Sequence, residues 1–241
     1  MSETYNIFKE LNFERKETFH SAMIAAIASH DEESQKAFFE MLSRAVNTNT
    51  ENRIINEHLL DRNVFNDRFE RLQRTINRDN KKHLWIDNEV HLIEKIENQN
   101  TRKTEYRDRG RADIWIGTNE ESEKDMYRLI IENKINAGNQ YRQLRRYYRY
   151  LTGNDRINAG LFFLCVLDND VYRQQAKDSA QTFKSESNDK ETDITKFAII
   201  TYENEIKHWL EKVMENAKDD YLKVVSNYYE LVVSLVENWK K

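Results

Sequence analysis

The chain has 241 residues, 39% of them hydrophobic, with 38 basic and 42 acidic side chains and a net charge of −4. That length and aromatic content allow a substantial core, while the slight acidity excludes a globally basic nucleic-acid binder and leaves room only for a local basic groove. One cysteine, Cys165, excludes an intrachain disulfide and a thiolate-rich metal site, and no apolar run reaches the ~18–20 residues that span a bilayer.

The N-terminal stretch MSETYNIFKE has neither the basic start nor the apolar segment of a secretion signal. The expectation is a cytoplasmic protein. Phe19, Met23, Ile24 and Ile27 fall at helical spacing, as do Phe38, Phe39, Met41, Leu42 and Val46, so residues 1–48 read as helical. NTNTEN is a polar break, and residues 53–78 resume a helical pattern. From residue 83 to 98 the period becomes two, with Val90, Leu92 and Ile96 on one side, which predicts a strand. The polar segment 99–110 ends in Gly110 and reads as a loop or hairpin tip. ADIWIGT and YRLIIENKI are rich in β-formers and predict strands over 112–118 and 127–135. Three strands so close in sequence predict an antiparallel meander.

Residues 140–151 read as a helix and AGLFFLCVL (159–167) as a strand covered on both faces. Residues 170–192 are polar helix or loop, FAIITY is a fifth strand, and 203–217 and 219–239 are amphipathic helices. With no internal repeat and no linker, the simplest organisation is one α/β domain over 1–241. It divides into a helical N-terminal part (1–80), a core of sheet and helix (83–202) and C-terminal helices (203–241).

Alternate side chains of a strand share a face, so Glu132 and Lys134 point one way and Ile131, Asn133 and Ile135 the other. In an antiparallel pair an early position of one strand meets a late position of the next, which brings Asp113 to the Glu132–Lys134 end. Two carboxylates suit a hard divalent cation, and an ammonium beside them can orient a water. A Glu and a Lys on the solvent side of a strand are also ordinary, so the spacing alone leaves both readings open. On helix 140–151, Gln140, Gln143, Leu144, Tyr147, Tyr148 and Leu151 form one face, and Arg142, Arg145, Arg146 and Arg149 occupy much of the remainder. That basic surface suits phosphate contacts, or is merely solvated.

Together, GRADIWIG…YRLIIENKINAGNQYRQLRRYYRYL resembles the core of the PD-(D/E)XK nuclease superfamily. It looks most like a bacterial subgroup with an IENKI…Q..QL..Y stretch. The resemblance covers roughly residues 13–30 and 85–167, and departs from the pattern in having Arg-Ala-Asp, without a proline before the aspartate. It implies a restriction-endonuclease-like fold: a central mixed sheet of about five strands flanked by helices, with helical additions at both ends. It implies a Mg²⁺- or Mn²⁺-dependent deoxyribonuclease, in phage defence or DNA processing, with DNA of unspecified strand type as partner. Asp113 and Glu132 would be metal ligands, with the Asn133 backbone carbonyl, and Lys134 would position the water. Glu17 matches the first-motif acid, Gln143 with Tyr147 matches the QxxxY element with Gln140 as a second glutamine, and His20 and Ser21 match a further pair. A catalytically silent nucleic-acid-binding or regulatory protein of the same fold is the alternative, and homodimerisation stays open.

Overall fold

The structure, a computed structural model, describes residues 6, 8, 13, 15–48, 84–97, 104–118, 127–136, 142–152, 158–180 and 197–241. The helix expected over 53–78 lies outside them. Two helices come first, α1 (Glu17–His30) and α2 (Glu32–Thr48). The strands β1 (Leu84–Glu97), β2 (Thr104–Thr118) and β3 (Tyr127–Lys134) follow. Next come α3 (Gln143–Thr152), β4 (Asn158–Cys165), α4 (Asp170–Ala180) and β5 (Ala198–Thr201). A π-helical turn (Tyr202–Ile206) leads into α5 (Lys207–Asn216) and then α6 (Asp219–Trp239).

The five strands form one sheet in the order β1-β2-β3-β4-β5. The meander expected of β1, β2 and β3 is present, both pairs being antiparallel, whereas β3–β4 and β4–β5 are parallel. Parallel neighbours need a crossover, and α3 and α4 supply the two. Both advance the sheet in the same direction, so the shared right-handedness of such crossovers puts both helices on one face. α1 packs on β1, β2 and β3 from the other face, and α5 and α6 close over α1 and α2. The sheet is therefore covered on both sides where Phe162, Phe163 and Leu164 of β4 are buried, as the unbroken apolar run predicts. This is the α/β restriction-endonuclease-like architecture, a mixed sheet between helices.

Two boundaries differ from the sequence expectation. Residues 104–111 form no loop: they continue β2, pairing with His91–Glu97. The register slips by one residue between His91 and Ile93, opposite Arg109 and Gly110, which is a β-bulge. Gly110 sits at φ 110°, a conformation that L side chains rarely adopt, so this glycine makes a bulge inside the strand and does not end a turn before it. The other difference is the start of α3, at Gln143 and not at 140. Arg142 has φ 61°, which is incompatible with a continuous right-handed helix through that position.

Candidate metal and phosphodiester site

Pairing of Ile114 with Ile131 makes Asp113 the neighbour of Glu132. Ladder pairing of β2 with β3 covers Ile114 to Gly117. At its end the Asn133 backbone N–H donates to Asp113 Oδ2 at 2.7 Å. The aspartate thus takes over a backbone donor where the ladder stops, and this holds its side chain against β3. Glu132 lies on the same sheet face, fully buried, and its Oε1 is in close ionic contact with Lys134 Nζ, itself 7% exposed. Lys134 and Tyr147 are the hydrogen-bonding neighbours of this carboxylate. Two carboxylates and one ammonium therefore converge as the strand period requires.

Burial pushes the Asp113 carboxyl up to about 6; the charge of Lys134 and the Asn133 N–H oppose that rise, and Glu17 and Glu89 add to it. Glu132 is raised well above the usual carboxylate range, first by burial and then by the charge of Asp113. For Lys134, burial draws the pKa down, but the adjacent Glu132 and then Asp113 and Glu17 more than offset this, so it is raised and remains an ammonium. Buried carboxylates this close repel one another and want a cation.

The opposite face of β3 is knitted to the helices. The Asn133 side chain donates to the Glu17 carbonyl at 3.2 Å and to Ser21 Oγ at 3.1 Å, and accepts from the Tyr202 hydroxyl at 3.0 Å. Ser21 Oγ donates to the Glu17 carbonyl, and His20 Nδ1 lies 3.0 Å from the Tyr228 hydroxyl. His20 and Ser21 are both fully buried. They sit behind the strand and away from the carboxylates, as supports of Asn133 and α1. Glu17 reaches around the strand end: its Oε1 accepts the Ile135 N–H at 2.8 Å and the Asn136 N–H at 3.0 Å. Tyr172 of α4 donates to the Ile135 carbonyl at 3.0 Å. Hydrogen bonds to Glu17 and Tyr172 thus fasten both polar groups of Ile135, next to Lys134.

On the carboxylate face, α3 supplies Gln143 and Tyr147. Gln143 Nε2 donates to the Tyr147 hydroxyl at 2.7 Å, and that hydroxyl donates to the Arg111 carbonyl on β2. Burial and the Glu132 charge raise the Tyr147 pKa, so it stays a neutral donor. The basic face expected of this helix is not open at Arg145. Arg145 is 4% exposed and Arg142 and Arg146 are half-buried. α3 packs against both the sheet and α4. The Arg149 side chain and Gln140 lie outside the described residues.

Sequence reasoning missed Glu89, whose charge reaches Asp113, and the buried phenols Tyr202 and Tyr228. Glu89 falls opposite Asp113, between the pairs Asn88–Ile114 and Val90–Ala112. Only the cross-strand register, which the alternation of β1 alone does not contain, would have found it.

Among the described residues no three His, Cys, Asp or Glu side chains form a metal-binding group. Asp113 and Glu132 nevertheless fit a hard divalent cation. Both are oxygen donors, both Glu132 oxygens are buried, and Mg²⁺ commonly takes one or two carboxylates and fills its other positions with water and phosphate oxygen.

A family model of the PD-(D/E)XK nuclease superfamily matches residues 5–230. The chain belongs to that superfamily, whose members are typically nucleases that use divalent metals. No curated protein and no solved structure matches the chain. Among the described residues no helix is long and apolar enough to cross a membrane.

Proposed function

We propose that this protein is a Mg²⁺- or Mn²⁺-dependent deoxyribonuclease that hydrolyses phosphodiester bonds of DNA, in defence against foreign DNA or in DNA processing. The observation that carries the reading is the Glu132 carboxylate. It is fully buried beside Asp113, with the Lys134 ammonium as its ion-pair partner and Tyr147 beside it. Holding such a group ionised is costly unless a ligand repays it.

Asp113, Glu132 and the Asn133 backbone carbonyl would hold the cation. When bound, it supplies an acidified water and charge stabilisation on the phosphate. Lys134 is the group that orients the attacking water, since Glu132 fixes its ammonium and its raised pKa keeps it a donor. The attacking water gives a proton to solvent as its oxygen bonds to phosphorus, the P–O bond to the leaving oxygen breaks, and that oxygen takes a proton from solvent. Glu17 acts at one remove, by fastening the main chain beside Lys134. Gln143 and Tyr147 tie α3 to β2 above the carboxylates. We place all of this in one domain.

The test is incubation with linear, circular and single-stranded DNA in Mg²⁺, in Mn²⁺ and in chelator. Cleavage is expected with metal only. Lys134→Ala should lose it while keeping the Mn²⁺-dependent rise in melting temperature. Cleavage that survives in Lys134→Ala, or in chelator, overturns the assignment.

A further inference from the structure

We propose that Arg111 is a phosphate-contacting residue of this site, set in place by Glu89; the proposal rests on the nuclease reading and names a residue that grips the substrate backbone. Arg111 lies two residues before Asp113 on β2, and so on the same sheet face. Its Nε is 2.6 Å from Glu89 Oε2. That contact uses one edge of the guanidinium and leaves Nη1 and Nη2, the fork that suits a phosphate. The Arg111 side chain is 54% exposed and the Glu89 side chain 21%. The cation thus faces outward and its carboxylate holder inward. The main chain of Arg111 is fixed separately, because its carbonyl accepts the Tyr147 hydroxyl.

An ordinary surface ion pair is loosely held and relaxes freely. Here the holder is constrained. Glu89 is a non-glycine residue at φ 58° in the middle of a strand, a strained conformation that persists only where the surroundings impose it and that clusters at functional sites. Its second oxygen, Oε1, is buried without a hydrogen-bond partner. Lys134 is committed to Glu132 and buried. Among the described residues, Arg111 is thus an exposed cation on the Asp113 face of β2 that can meet a phosphate oxygen from outside.

The experiment measures binding of labelled duplex and single-stranded DNA in Ca²⁺, and cleavage in Mg²⁺. Arg111→Ala should weaken binding about tenfold, the loss of a charge-assisted contact. It should also reduce the salt slope by about 0.9 on duplex and about 0.7 on single strands. Its Mn²⁺-induced rise in melting temperature should match that of the wild type, which shows that the fold and the carboxylates are intact. Arg111→Lys should restore the salt slope but not the full cleavage rate, since the fork is lost. Glu89→Gln separates positioning from charge. On charge alone, removing an anion tightens DNA binding; if Glu89 positions Arg111, kcat falls while KM does not rise. An unchanged salt slope in Arg111→Ala, or an unchanged kcat in Glu89→Gln, overturns the proposal while the nuclease reading stands. If the wild type neither binds nor cleaves DNA in any metal, both fall.

Discussion

Replacing Asp113 by Asn should make the metal-free protein more stable and abolish its response to metal. The folded protein raises this carboxyl from 3.8 to about 6, with burial as the first cause. At about 1.36 kcal/mol per pH unit, an ionised Asp113 is disfavoured in the folded state by up to about 3 kcal/mol. Partial exposure of the side chain lowers this to about 1–3 kcal/mol. A raised acid pKa contributes stability that is present below pH 4 and lost as the pH rises through about 6. The wild type without metal should therefore weaken over that window, and Asp113→Asn should follow a flatter curve, because the amide never ionises. Its oxygen can still accept the Asn133 N–H now held at 2.7 Å, so little bonding is lost. Urea denaturation in chelator at a series of pH values should show the two curves meeting near pH 4 and separating by about 1–3 kcal/mol above pH 6. Adding Mn²⁺ at pH 8 should then stabilise the wild type by RT ln(1 + [L]/Kd) and leave the variant unmoved. If Asp113→Asn is the less stable protein at pH 8 in chelator, or keeps the Mn²⁺ response, Asp113 is a structural acceptor and the reasoning fails.

Glu17→Ala removes an acceptor from two backbone N–H groups and should cost about 2–4 kcal/mol in chemical denaturation. Glu17→Gln keeps an acceptor oxygen and should lose less than half of that. Gly110→Ala forces a side chain into φ 110° with its Cβ 3.4 Å from Tyr147 Cε1; a loss of about 1–3 kcal/mol is expected, read as a drop in melting temperature. Tyr147→Phe severs the links to Gln143 and to the Arg111 carbonyl. It should cost about 1–3 kcal/mol and slow cleavage, with the Mn²⁺ response retained, because neither carboxylate is removed.

The alternation in YRLIIENKI assigned Glu132 and Lys134 to one side and Asn133 to the other, and the structure has them so: an ion pair on one face and bonds to Ser21 and Tyr202 on the other. Antiparallel neighbourhood carried Asp113 to Glu132, and the apolar runs marked β4 and β5. These features follow from local backbone geometry, which the sequence displays through its period. The polar stretch 104–111 has no such period, and it is strand because β1 offers it a partner across a bulge. Arg145 reads as a surface residue on a helical wheel but is buried in the fold, which a wheel of one helix cannot show. Glu17 reaches Ile135 across 118 positions, and Glu89 meets Arg111 only once the cross-strand register is set. Composition and spacing therefore determined which residues could make the site, while tertiary structure decided which of them each carboxylate meets, because hydrogen-bond partners distant in the chain are chosen by packing and not by local periodicity.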